Sequence, residues 1–464
     1  MVCQKEKNTN SVTHLFKILA KYYIKKLTFY SEFFYFYSMK KILFAGTFFL
    51  SAWAFSQFNV KIAVPSYLVD SDIYLYGFNG SKDILFAKGR AGSTNTVVKV
   101  DKRYTGMMRA FFPKANGSVN LISENKDISF ALDLDSGNRI SNIVFLDDAN
   151  QLFSNQVETQ RKQELILPAL IQIKDFYKPT EGFYKSLDQE INTLSKKDNS
   201  QYASHPFIEF YQNSQKFVSQ DKIADSKTDD FINYFTKSSE YLETSGLMKP
   251  ILINYLNISK SNVEGGVDQL LAAVNVETPR GQTVLSELID IFNSYNMVKL
   301  KEKYLKEGNN LKCTITDRLA TTLKANNNTE VGAKIPNNTF ANAIHSKYKS
   351  LYDVKASKKI VVFWSSTCSH CEAELPNLLE KYEQLKAQNI EVVAFSLDSN
   401  LDEYKAKANV YPWISASEGK GWYSSYGETY NVNATPTYFI IDSDNKILSK
   451  PDHVGDVLSF LKVN

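Results

Sequence analysis

At 464 residues the chain is too long for one fold of roughly 100–150 residues and should hold about three domains. Its 54 basic and 50 acidic residues leave a formal net charge of +4, and without a sustained Lys/Arg run this gives nucleic-acid binding no support. The composition is that of a soluble, globular protein.

The first informative segment is Met39-Lys40-Lys41-Ile42, which opens an apolar run through Phe55 and ends on the small residues Ala52, Ala54 and Ser56 before Gln57. This order of basic, apolar and small residues reads as a secretory signal peptide over 39–56, cleaved near Ser56. The run is shorter than the about 20 residues of a membrane span; left uncleaved, it would anchor the chain instead. No cysteine follows it, which excludes a lipoprotein anchor. Residues 1–38, dense in Lys, Tyr and Phe without clean periodicity, read as a mis-assigned upstream extension, with Met39 as the start. The expected location is the periplasm or cell envelope.

From 57 to 150 the pattern is strand-like. Ile128, Phe130, Leu132 and Leu134 alternate, and the pairs Ile73/Leu75, Ile84/Phe86 and Val98/Val100 mark further strands between turns such as Phe78-Asn79-Gly80. This predicts an antiparallel β-sandwich. From 151 to 325 the period becomes helical, with Val284, Leu285, Leu288, Ile289, Phe292 and Tyr295 on one face and Phe231, Ile232, Tyr234 and Phe235 on another. The polar stretch 326–336 reads as a linker into the last domain, 337–464. No catalytic constellation stands before residue 330, so partner recognition is the default role of the first two domains.

The last domain holds the chemistry. Lys359–Trp364 is an apolar strand leading into Ser365-Ser366-Thr367, and Cys368-Ser369-His370-Cys371 follows at the head of an amphipathic helix with Leu375, Leu378, Leu379, Tyr382 and Leu385 on its apolar side. Ser366 and Thr367 as caps place Cys368 at about the first helical position, near unpaired backbone N–H groups that favour a thiolate. Cys368 is then the nucleophile and Cys371, one turn further in, the resolving thiol. Zinc needs four ligands, and Cys3, Cys313 and five histidines offer no second close pair. Cys313 is expected to be inert, so the chain has no disulfide framework and its CxxC serves turnover. Further on, the strand Ile390–Leu397, the helix Leu401–Asn409, a hairpin of Thr437–Asp442 with Lys446–Ser449, and the helix Val454–Val463 complete an α/β layer pattern. Between 410 and 430 lie Trp413, Trp422, Tyr423 and Tyr426, as a substrate-facing rim or as core.

The strand Ile360–Trp364, the Cys368/Cys371 pair, Glu374 and Pro376 in Cys-x-x-Glu-x-Pro, and Ala434-Thr435-Pro436-Thr437 ahead of a strand together resemble the thioredoxin fold, and specifically the TlpA/ResA-type thiol–disulfide oxidoreductases. With the upstream β and helical parts, the order is similar to exported Bacteroidetes proteins of this type. The resemblance implies a helix kinked at Pro376, a cis Thr435–Pro436 bond facing the active cysteines, and Thr435 pairing with an extended substrate. Glu374 takes the place of the aspartate that ordinary thioredoxin carries where this chain has Val362, and is expected to receive the proton of Cys371. His370 and Trp364 are expected to tune the redox pair, a partly charged His370 favouring the thiolate.

These readings converge on an exported enzyme that reduces disulfides of extracytoplasmic proteins, without a diffusible cofactor or a metal. Its partners would be a disulfide-bearing or dithiol protein and a membrane redox protein that supplies electrons. An apocytochrome, as in cytochrome c biogenesis, another exported protein and a glutathione-like thiol all fit as substrate. A disulfide-forming oxidase and a non-catalytic scaffold with a thioredoxin-like docking module are the alternatives. A peroxiredoxin-like peroxidase is disfavoured, since no proline precedes Cys368 in the pattern that chemistry uses.

Overall fold

In the computed structural model of the protein, residues 58–93, 95–196, 202–218 and 227–463 are described. The expected signal segment 39–56, its expected cleavage point and residues 1–38 lie outside them. Eight strands come first: β1 (Phe58–Ala63), β2 (Asp72–Asn79), β3 (Lys82–Arg90), β4 (Asn95–Val100), β5 (Thr105–Phe112), β6 (Gly117–Glu124), β7 (Ile128–Leu134) and β8 (Ile140–Phe145). They form two sheets, ordered β4-β1-β7-β8 and β3-β2-β5-β6. Side chains from both sheets, among them Val60, Ile73, Met108, Leu121 and Phe130, meet in one core, as period-2 alternation requires.

The expectation of purely antiparallel strands needs correction, because β1 and β7 pair in parallel, Val60 opposite Ile128 and Ile62 opposite Phe130. Alternation reports which face a residue takes, not the direction of its neighbour. Gly80 makes the β2–β3 turn at φ +67°, and a Cβ there would stand 2.3 Å from Glu287 Oε1. Only glycine fits that conformation and approach at low cost.

The middle region is helical: α1 (Asp148–Leu165), α2 (Leu167–Lys174), α3 (Gly182–Ser195), α4 (Pro206–Ser214), α5 (Thr228–Lys237), α6 (Tyr241–Thr244), α7 (Met248–Ile258), α8 (Val263–Val274), α9 (Pro279–Ser294), α10 (Val298–Asn309) and α11 (Asp317–Asn327). Helix α9 starts on Thr278, whose hydroxyl caps Gly281 N–H, with Pro279 in the first turn. Val284, Leu285, Leu288, Ile289 and Phe292 are buried as the sequence pattern demands, while Tyr295 is exposed. Fully burying each such side chain stabilises the fold by roughly 1.5–3 kcal/mol. Glu287 of the same helix is buried, accepting from Ser81 N–H at 2.8 Å and Arg318 Nη2 at 2.8 Å, so one carboxylate joins the β2–β3 turn to the helices.

The stretch 326–336 is anchored to the last domain by backbone hydrogen bonds. Asn326 is still in α11, Gly332 N–H donates to Ile447 O, and Ile335, fully buried, donates to Asn445 O. Beyond it come β9 (Lys358–Trp364), α12 (Ser369–Glu380), α13 (Tyr382–Ala387), β10 (Ile390–Ser396), α14 (Leu401–Ala408), β11 (Ile414–Ser417), α15 (Ser425–Thr429), β12 (Thr437–Asp442), β13 (Ile447–Ser449) and α16 (Val454–Leu461). The sheet order is β11-β10-β9-β12-β13, with β9 central, parallel to β10 and antiparallel to β12. One core lies on each face of it. Burial on both faces explains why Ile360–Phe363 reads as a continuous apolar run. The active cysteines stand at the carboxyl end of β9, where such sheets place their chemistry.

The β part and the last domain touch through Tyr423. Its ring stacks on Tyr76 at 4.1 Å, its hydroxyl donates to Asp83 Oδ2 at 2.6 Å, and it accepts from Arg109 Nη1 at 2.9 Å. Tyr423→Phe removes that hydroxyl from a buried cluster and is expected to cost roughly 1–2 kcal/mol. Thermal unfolding measures this, and an unchanged midpoint would mean that the cluster adds no stability.

Candidate functional site

Strand β9 delivers the chain into the turn Ser365-Ser366-Thr367, and that turn is built around Asp398. This buried carboxylate accepts from Ser365 Oγ at 2.7 Å, Ser366 N–H at 2.9 Å, Ser366 Oγ at 2.8 Å and Ser396 Oγ at 2.6 Å. The sequence reading missed Asp398, whose only local signal is its place just past an apolar strand.

Cys368 is the N-cap of α12 and not its first helical residue. Its backbone is extended, at φ −90° and ψ 112°, and its sulfur accepts the N–H of Cys371 at 3.1 Å. The cap role that sequence reasoning gave to Ser366 and Thr367 thus falls to the sulfur itself, which meets an unpaired N–H at the positive end of the helix. Cys371 is almost fully buried, with its sulfur 2.6 Å from that of Cys368, and both cysteines are free. Burial first, and then the neighbouring Cys368 sulfur, pushes the Cys371 thiol up to about 12. At neutral pH it therefore stays protonated until a base takes its proton.

The Thr435–Pro436 bond is cis. Thr435 O accepts from Cys368 Sγ at 3.3 Å, so the loop lies directly over the half-exposed sulfur. Pro376 sits inside α12, where it cannot donate to the helix ladder. Trp364 is buried in the same apolar cluster as Cys371, and His370 is exposed on the first turn of α12.

Glu374, expected to receive the proton of Cys371, is held by partners on β12 and at the start of α16. Its carboxylate accepts from Val454 N–H at 2.9 Å and Tyr438 OH at 3.1 Å, and lies 3.0 Å from His453 Nδ1. Burial raises its pKa, but the bonds from His453, Val454 and Tyr438 outweigh burial and hold the carboxyl below the usual range. Tyr438 is buried and its ionisation is pushed up, by burial first, then by Glu374 and by charge at Cys371 and Cys368. The Tyr438 phenol thus feels charge on both the Glu374 carboxylate and the sulfurs. Neither Tyr438 nor His453 was singled out by the sequence.

Since the folded pKa of Glu374 is depressed, the stability it contributes is present above the ordinary carboxylate value and lost as pH falls through the folded one. Replacing His453 with asparagine is expected to move the Glu374 titration upward, read by carboxyl-carbon NMR. A titration that does not move would remove His453 from this role.

The family described as thioredoxin-like matches residues 358–447. The chain is similar to the thiol-disulfide oxidoreductase ResA of Bacillus cereus, 29% identical over 122 residues that cover 26% of this chain and 69% of the relative. ResA of Bacillus anthracis is 27% identical over 124 residues, with 26% and 69% covered. Among solved structures, the thioredoxin domain of a thiol-disulfide oxidoreductase from Bacteroides vulgatus is 24% identical and covers 29% of this chain and 99% of that one, with a TM-score of 0.27.

Proposed function

We propose that this chain, a TlpA/ResA-like thiol–disulfide oxidoreductase, is exported and reduces disulfides of proteins outside the cytoplasm through Cys368 and Cys371. The observation that carries the reading is the sulfur pair itself: Cys368 Sγ receives the Cys371 N–H at 3.1 Å and lies 2.6 Å from Cys371 Sγ, with the Thr435 carbonyl over it.

The Cys368 thiolate attacks one sulfur of the substrate disulfide. The substrate S–S bond breaks, a Cys368–substrate bond forms, and the leaving thiolate takes a proton. Cys371 then loses its proton and attacks Cys368 Sγ, which releases the second substrate thiol and leaves a Cys368–Cys371 disulfide. Two electrons have passed from the enzyme dithiol to the substrate. In the second step Glu374 is suited to receive the proton that Cys371 gives up, because its partners keep the carboxyl below the usual range and so ionised, while the Tyr438 phenol, kept protonated by burial, holds a hydrogen bond on it. A membrane dithiol partner returns the electrons by the same exchange, and no diffusible cofactor takes part. Export rests on the 39–56 segment.

Cys371→Ala should hold substrates on Cys368 as mixed disulfides when the full chain is incubated with oxidised envelope proteins. Recovery of none would count against a protein substrate. A reduction potential of about −120 mV, where disulfide-forming enzymes lie, would assign the opposite direction of electron flow.

A further inference from the structure

Beside the turn that carries Cys368 lies a cavity of about 150 Å³, and its walls come from two distant parts of the chain. Its lining includes Thr367, the residue before the nucleophile, with Asp398, Glu403 and Trp422 of the last domain, and Phe111 and Asn116 of the β part. That volume is below the roughly 300–1,000 Å³ of a cofactor or drug-sized cleft and suits a single side chain.

The two β-part residues are fixed in place. Ser399 Oγ donates to Asn116 Oδ1 at 2.5 Å, and Phe111 packs on Tyr423 at 4.8 Å, which is itself held by Arg109 and Asp83. The position fits a substrate track. A substrate cysteine bonded to Cys368 has its neighbouring residue about 3.3–3.6 Å of chain further on, and the cavity is lined by Thr367, the residue next to Cys368, while the Thr435 carbonyl lies 3.3 Å from the sulfur.

The lining selects the occupant. It carries two carboxylates, Asp398 and Glu403, and no basic side chain among the described residues. Asp398 is saturated by the turn, whereas Glu403 is exposed, with Asn400 Nδ2 at 3.0 Å as a partner. Trp422 is 54% exposed, an unusual state for a large aromatic ring, and it offers a π face to a cation.

We propose that this cavity binds one Lys or Arg side chain of the substrate protein, next to the cysteine that pairs with Cys368, with Glu403 and Trp422 of the last domain reading its charge and the β part helping to enclose it. The proposal rests on the thiol–disulfide reading above. It gives the first domain a role beyond passive support: Phe111 and Asn116 close a pocket that the last domain alone leaves open.

The test uses the reduced full chain and three disulfide peptides that differ only in carrying Lys, Ala or Glu beside the cysteine. The Lys peptide is expected to exceed the Glu peptide in kcat/KM by about tenfold at low salt, with the ratio falling as salt screens it. Glu403→Lys should invert the order, and Trp422→Ala should lower the Lys-over-Ala ratio severalfold. Equal kcat/KM for the three peptides on the wild-type chain, all being reduced, overturns the pocket and leaves the redox reading intact. Failure to reduce any peptide and a small aromatic disulfide as well overturns the redox reading and this proposal with it.

Discussion

Replacing Cys368 with serine is expected to lower the rate of disulfide reduction by at least about a thousandfold, the scale seen when an enzyme loses its nucleophile. A serine hydroxyl at the N-cap accepts the Cys371 N–H as well as or better than sulfur does, so the fold and the start of α12 survive. What is lost is a thiolate at the one position that is both half-exposed and under Thr435 O. The buried Cys371 cannot substitute, because its thiol is pushed up to about 12 and its sulfur lies behind Cys368. Cys371→Ala should behave differently, forming the first mixed disulfide and stalling there. Single-turnover kinetics with a quenched peptide disulfide separate the two, and a Cys368→Ser chain that retained even a tenth of the wild-type rate would move the nucleophile elsewhere. The same geometry fixes the pH dependence of the second step. A thiol with a raised pKa gives up its proton more easily as pH rises, so resolution should accelerate with pH. The folded-state preference for the neutral thiol is, by linkage, present below the ordinary thiol pKa and lost as pH rises towards about 12.

How far the sequence announces this site depends on how far apart its parts lie along the chain. Strand, CxxC, Pro376 and the Thr435-Pro436 loop were legible because each is a local pattern of period, spacing or proline chemistry, and β9, α12 and β12 fall within a few residues of those expectations. The partners that give the site its electrostatics are remote: Asp398 is 33 residues from Ser365, Tyr438 64 and His453 79 from Glu374, and Tyr423 314 from Arg109. Nothing local distinguishes such an Asp or Tyr from a surface one. The aromatic stretch 410–430 shows the same limit, since Trp413 is buried and Trp422 is exposed although both sit in similar sequence. The parallel pairing of β1 with β7 was equally hidden, because side-chain alternation is identical in both strand directions.

The most consequential of those remote contacts is Asp398. Asp398→Ala is expected to destabilise the chain by about 3 kcal/mol or more, because the donors on Ser365, Ser366 and Ser396 lose a buried charged acceptor and each unsatisfied donor costs roughly 1–3 kcal/mol. Asp398→Asn should cost less, since one acceptor oxygen remains, but its amide turns two donors towards serines that must also donate, so part of the network inverts. Denaturant unfolding with an unchanged slope and a lowered midpoint reads the loss as stability alone. The effect on chemistry should exceed the effect on folding. At a temperature where the Asp398→Asn chain is fully folded, its turnover should still be depressed by about tenfold, because the Ser365–Thr367 turn is what aims Cys368 Sγ at the Cys371 N–H and at Thr435 O, and small misplacements of a reacting atom are costly. Wild-type turnover in a folded Asp398→Asn chain would show that the turn holds its shape without the carboxylate, and would reduce Asp398 to a structural anchor.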